Sequence, residues 1–371
     1  MKKLMTSVAA LAAAAGMAEA GGVDRSGQSI GIIFEKSNYV ELSYGVINPN
    51  VTGNDLAMFG GRSTGSVADK HTLPGLALNY KFNDHLSAAL IYEHAYGADI
   101  NYPLGESIAL GGTSAVLDSQ VITGILRYKF DDNWSVHGGI RASQASGDVA
   151  LRGAAYGPIS GYNVSFDDAW GTGYLVGGAY ERPDIALRVA LTYFSKVTHD
   201  LDTTERMGVM QVAPMSVTSV DTPQAVNLDF QSGVAKDTLV FGSIRWVDWS
   251  SFLIDPAWFT GATGGGLVSF EDSTTYTLGV GRKFSDNWSG SVFATYEAGG
   301  DPLVSPLAPT NGYKGIGVAA VYTQDNMKVT MGVRYLKLGD AQPETGTPDV
   351  ARANMTDNDA VAVGVRVGFS F

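Results

Sequence analysis

The chain closes with "VAVGVRVGFSF", Val361 to Phe371. Val361, Val363, Val365, Val367, Phe369 and Phe371 share one parity, while Ala362, Gly364, Arg366, Gly368 and Ser370 share the other. Successive side chains of a strand point to opposite faces, so this is a strand with one apolar face. A strand of a soluble sandwich reads the same way, but it seldom runs this long, at the end of a chain, with an aromatic residue as its cap. The rest of the sequence decides whether that face meets a protein core or lipid.

At the other end Lys2 and Lys3 precede an apolar run from Leu4 to Met17, followed by the small-x-small triplet Ala18-Glu19-Ala20. This is the form of a secretory signal peptide over residues 1–20, with the mature chain beginning near Gly21. A run of about 14 apolar residues is too short to cross about 30 Å of hydrocarbon at 1.5 Å per residue. No later run approaches the length of a membrane helix. The chain has no cysteine, which removes disulfides and thiol chemistry, and its net charge of −12 disfavours nucleic acid as a partner.

Fourteen stretches alternate. They fall at Val40 to Ile47, Leu73 to Phe82, Leu86 to Tyr96, Ser119 to Phe130, Trp134 to Gln144, Trp170 to Glu181 and Ile185 to Val197. They continue at Ala225 to Gln231, Thr238 to Phe252, Thr274 to Phe284, Trp288 to Glu297, Lys314 to Thr323, Met327 to Leu336 and Ala360 to Phe371. The connections sort into two kinds. Tight turns occur at Asn83-Asp84, Asp131 to Asn133, Arg182 to Asp184, Ser285 to Asn287 and Gln324 to Asn326. Long connections lie between them, at Asn48 to Thr72, Gly97 to Asp118, Ala145 to Ala169, His199 to Gln224, Asp255 to Ser273, Gly299 to Tyr313 and Gly339 to Asp359. Short turns on one rim and long loops on the other describe an all-β, antiparallel transmembrane barrel of the bacterial outer membrane. Three turns carry the quasi-repeat "YKFND" (Tyr80 to Asp84), "YKFDDNW" (Tyr128 to Trp134) and "RKFSDNW" (Arg282 to Trp288). Aromatic rings beside a turn suit the membrane interface, which places these turns on the periplasmic rim together with Phe371.

Several of these segments resemble a family. "TPQAVNLDFQSGVAKDTLVFGSIRWVDWSSF" (Thr222 to Phe252), "DIALRVALTYFSKVTHDL" (Asp184 to Leu201) and "YGVINPNVTG" (Tyr44 to Gly53) are similar to segments of the FadL family of outer-membrane transporters for long-chain fatty acids and other hydrophobic compounds. The resemblance implies an N-terminal hatch inside the barrel, here residues 21–39, with the barrel formed by residues 40–371. The family usually carries an Asn-Pro-Ala motif in its hatch, and no such tripeptide precedes the first strand here. It further implies a monomer with outer-membrane lipid around the wall and passive uptake, and the aromatic-ended last strand at Phe371 resembles the signal read by the bacterial barrel assembly machinery. A position similar to a ligand-binding arginine of the family falls on Arg152, in "VALRGAAYG" (Val149 to Gly157).

Inward parity collects Lys81, Glu93, Arg127, Lys129, Arg141, Arg188, Glu297, Arg334 and Arg366. Such a mixed-sign set either pairs with itself and the hatch or offers a cation to a carboxylate. Tyr156, Phe166, Trp258 and Phe259 are loop aromatics that either pack together or receive an apolar ligand. His71, His85, His94, His137 and His199 stand in no recognisable arrangement with a nucleophile, and no cluster has metal-ligand spacing, so neither an enzyme nor a cofactor is expected. The competing reading is a porin-like channel, general or for aromatic hydrocarbons.

Overall fold

The first and last barrel strands pair with each other. β1 (Tyr39–Asn50) runs antiparallel to β14 (Asp359–Ser370), in register from Tyr39 opposite Ser370 to Asn50 opposite Asp359. A strand edge left in hydrocarbon would carry unsatisfied N–H and C=O groups, and closing the sheet removes it. The computed structural model describes residues 23–346 and 348–371, and the leader expected over residues 1–20 lies outside them. Between the closing strands lie β2 (His71–Lys81), β3 (Leu86–Glu93, resuming as Gly97–Asn101), β4 (Ser114–Lys129), β5 (Trp134–Ala150), β6 (Tyr162–Arg182) and β7 (Leu187–Phe194, resuming as Val197–Met207). Then follow β8 (Ser216–Thr222, resuming as Ala225–Ala235), β9 (Thr238–Val247), β10 (Ser273–Lys283), β11 (Trp288–Glu297), β12 (Tyr313–Gln324) and β13 (Met327–Leu338). Each pairs antiparallel with its sequence neighbours, so the expected fourteen-stranded closed barrel is what forms.

Alternation sorts the side chains as expected. On β14 Val361, Val363, Val365 and Phe369 are exposed on the outer wall, while Ala360, Ala362 and Gly368 are buried inside. Gly368 is required by a close approach: a Cβ there would lie 1.9 Å from the Tyr39 hydroxyl, which crosses the seam on the lumenal side. The tight turns use residues that tolerate a left-handed backbone, including Asp237 (φ 57°) and Asp325 (φ 51°). Ring pairs mark this rim: Tyr80 with Phe82, Tyr128 with Phe130, Trp134 with Tyr180, and Trp288 with Tyr322. A second belt of exposed rings includes Tyr44, Trp170, Tyr174, Tyr276, Tyr296 and Tyr335. Tyr276 and Phe284 stand eight residues apart on one hairpin arm. At about 3.4 Å per residue and a tilt of about 40° that separation spans roughly 21 Å, close to the apolar band of about 25 Å in such barrels.

Strand ends on the long-loop rim differ from the sequence reading. The connections expected over Ala145 to Ala169 and His199 to Gln224 are largely strand, and that over Gly97 to Asp118 is strand at both ends, because β3 to β8 continue above the lipid. There the outer face becomes polar, with Ser165 donating to Asp148 at 2.7 Å and Ser219 to Asp200 at 2.5 Å. The stretch expected to run from Thr238 to Phe252 stops at Val247, and Trp249 and Phe252, each 2 % exposed, turn in over the lumen. Within the long connection after β9 a short helix, α1 (Ala257–Thr263), forms.

Val365 lies midway between Val361 and Phe369, which pair with Tyr335 and Met327 on β13. Val365→Arg therefore puts a charge near the midplane and should destabilise folding into lipid vesicles by about 2 to 4 kcal/mol, whereas Val365→Leu should be close to neutral. Denaturant titration checks this, and equal stabilities would contradict the facing of β14.

Candidate functional site

The wall is interrupted at β3. Glu93 pairs with Val121 and Gly97 with Asp118, so three residues, His94 to Tyr96, oppose two on β4. The extra residue bends the strand into the barrel, where Ala95 and Tyr96 are buried. Ser119 stabilises the bend, accepting from the Tyr96 N–H and donating to its carbonyl, both at 2.9 Å. The N-terminal segment takes up the displaced backbone: Arg25 N–H donates to the Ala95 carbonyl (2.9 Å) and Gly97 N–H to the Val23 carbonyl (2.8 Å). The cost falls on β2. Its ladder with β3 ends at Leu76 opposite Tyr92, so His71 to Gly75 pair with β1 alone and a gap opens in the wall.

Two cavities adjoin this bend. The upper one, about 110 Å³, has a largely apolar wall of Ile47, Val51, Ile100, Leu307, Leu336 and Leu338, with Asp69, His71 and Asp99 also on it. The side cavity, also about 110 Å³, lies against the gap and is lined by Leu73 to Ala77, Ile91 to His94, Glu41 and Arg366. A smaller apolar cavity of about 20 Å³ lies among Phe166, Leu201, Val220, Phe252 and Ile254.

The lumenal charges mostly hold the N-terminal segment. Arg127 donates to the Ile33 carbonyl at 3.2 Å, pairs with Glu181, and lies 4.5 Å from the Phe34 ring centroid. Arg188 lies over the same ring at 4.3 Å, so Phe34 is held between two guanidinium groups. Arg141 donates to Gln28 Oε1 at 2.5 Å, and Gln28 in turn donates to the Tyr96 hydroxyl at 2.6 Å. Arg334 lies 5.7 Å from the Tyr313 ring, and Arg366 pairs with Glu41 across the closing seam at 3.3 Å. Glu93 faces Ser26, with Arg141 and Arg245 as compensating cations. Arg245 was not among the expected lumenal charges, although its parity on β9 is inward. It donates to Asp24 Oδ2 at 2.9 Å and to Asn227 at 2.8 Å, and both partners of the ion pair are buried. These contacts tie the segment Val23 to Asn38 to strands from several sides of the wall.

Arg152 is used differently from the expectation. Its guanidinium donates to the carbonyls of Leu151 (2.9 Å) and Tyr162 (2.8 Å) and to Asn163 (2.5 Å), tying its own loop to the rim, and it lines none of the cavities described. Tyr156, in a short turn over Ala154–Ile159, packs against the core of the loops. Trp258 and Phe259 sit on α1 and pack on Tyr162, at 5.8 and 4.9 Å between ring centroids. Glu205 fastens that cluster, accepting from the Tyr162 hydroxyl and from the Trp258 and Phe259 N–H groups at 2.7 to 2.9 Å. These rings thus satisfy one another rather than standing bare. Of the expected loop aromatics only Phe166 lines a described cavity. Tyr102, buried in the loop before β4, is pushed well above the ordinary tyrosine range by burial, stays neutral and donates to the Pro306 carbonyl at 3.1 Å. The long loops therefore form one packed cap.

The sequence matches the family described as "Outer membrane protein transport protein (OMPP1/FadL/TodX)" over residues 10–301. No curated protein matches it. Among solved structures the chain is similar to a Pseudomonas aeruginosa FadL homologue (TM-score 0.75, 14 % identity, covering 97 % of this chain and 98 % of that one). It is also similar to the CymD monoaromatic hydrocarbon channel (0.61, 14 %, 100 % and 98 %). A third match is the P. putida toluene transporter TodX (0.63, 13 %, 91 % and 90 %). At such identities the likeness speaks to the barrel fold, while the family match covers well over half the chain. The protein belongs to the OMPP1/FadL/TodX family, and is an outer-membrane barrel that transports hydrophobic compounds and not an enzyme.

Proposed function

We propose that the protein carries long-chain fatty acids passively into the outer membrane, with residues 21–39 acting as a hatch that closes the lumen and the gap between β2 and β3 serving as the exit. The observation that carries this reading is the inward bend of β3, which leaves Leu73 to Gly75 without a β3 partner beside a cavity. The mostly apolar upper cavity lies under the loops, and the side cavity follows it toward the gap. A flexible acyl chain can thread such a path without crossing the plugged centre of the barrel. Phe371, exposed at the end of β14, suits recognition by the assembly machinery. A second reading, monoaromatic hydrocarbons, is favoured by size: each cavity is about 110 Å³, comparable to the roughly 150 Å³ cavity known to take benzene. It also draws on what CymD and TodX are named for. Competition between oleate and toluene for uptake by cells expressing the protein separates the two readings.

Hatch closure has an electrical test. In planar bilayers the wild type should show little steady ion conductance. Arg245→Leu leaves Asp24 as an unpaired buried carboxylate, an error of about 3 to 5 kcal/mol in the segment's anchoring, and should produce frequent conducting openings. Strong conductance of the wild type would instead indicate an open porin.

A further inference from the structure

Among the described residues Arg25 alone lines both the upper and the side cavity. It is only 8 % exposed, and its backbone is fixed by the bond to the Ala95 carbonyl. Its guanidinium presses on the bare backbone of the bent strand: a Cβ built on Gly97 would lie 2.3 Å from Arg25 Cζ and 2.4 Å from Nη1. Glycine at that position lets the guanidinium occupy the boundary between the two spaces. Among the described residues the other cations around the segment have contact partners, Glu181 for Arg127, Gln28 for Arg141, Asp24 for Arg245, Glu35 for Lys328 and Glu41 for Arg366, while Arg188 lies on the Phe34 ring. No hydrogen bond or ion pair among the described residues engages the Arg25 guanidinium, and Asp118 and Asp99 balance its charge only at longer range. A buried cation held in place without a contact partner is costly for a fold to keep, and it presents a planar fork suited to a carboxylate.

We propose that Arg25 is the carboxylate-recognising residue of the passage, holding the headgroup of an anionic amphiphile whose apolar chain lies in the upper cavity, while neutral hydrocarbons pass it without that hold. The proposal rests on the transport reading and deepens it by giving the path a selectivity residue. A guanidinium–carboxylate pair is bidentate and shielded here by Gly97 and the segment backbone, whereas an alcohol or hydrocarbon of the same length offers no charge to the fork.

The test compares equilibrium binding of decanoate and of 1-decanol, both below their aggregation limits, to the purified full chain. Arg25→Gln should weaken decanoate binding about tenfold or more, as loss of a charge-assisted pair does, and change decanol binding by less than about threefold. Arg25→Lys should recover part of the loss. Should Arg25→Gln fail to fold, Gly97→Val displaces the guanidinium without removing its charge and should show the same selective loss. Equal losses for the acid and the alcohol, or no loss for either, overturn the assignment of Arg25 alone. A wild type that binds neither compound overturns the transport reading and this assignment with it.

Discussion

Every backbone amide inside the hydrocarbon must find a partner within the protein, and this structure is organised around a place where the wall between β2 and β3 does not supply it. The seam from Tyr39–Ser370 to Asn50–Asp359 closes the sheet, and its fourteen strands follow one another without a crossover. His71 to Gly75 of β2 lack a partner on the β3 side, because three residues of β3 are spent on a bend. The bend is not free-standing. Val23 to Arg25 pair with the displaced strand, and Ser119 satisfies both backbone polar groups of Tyr96. The N-terminal segment and the gap are therefore one construction, in which the segment stabilises the bend and the bend opens the wall.

What anchors the segment explains the polar lumen. Phe34 between Arg127 and Arg188, Gln28 between Arg141 and Tyr96, and Asp24 on Arg245 tie successive positions of a short chain to different strands. A segment of this length has little apolar area to bury, so charge-assisted and cation–π contacts in a shielded interior do the anchoring instead. Arg25 differs from these cations in facing space rather than a partner.

The barrel was legible in the sequence because lipid imposes a rule on every residue it touches. Val361 to Phe369 could be read for parity, and the rings at Tyr80, Tyr128 and Trp288 fixed the rim. Above the lipid that rule lapses: Asp148, Ser165 and Asp200 face water from the outer wall, so the upper parts of β5 to β7 read as loop although their backbones pair. The bend at His94 to Tyr96 contains neither glycine nor proline and depends on residues far away in sequence. The Arg245–Asp24 pair joins residues 221 positions apart, beyond the reach of any local pattern. Arg152 shows the converse. Its residue type and place suited a ligand, but the carbonyls of Leu151 and Tyr162 and the side chain of Asn163 take three of its five donors.

The central claim, that hydrophobic cargo leaves through the gap between β2 and β3, can be tested by closing it. The chain has no cysteine, so Pro74→Cys on β2 and His94→Cys on β3, both lining the side cavity, can be bridged with a short reducible dithiol reagent. Uptake of labelled oleate by cells should stop when the bridge forms and return when it is reduced, with the barrel still folded. Undiminished uptake through a fully bridged protein would contradict the account.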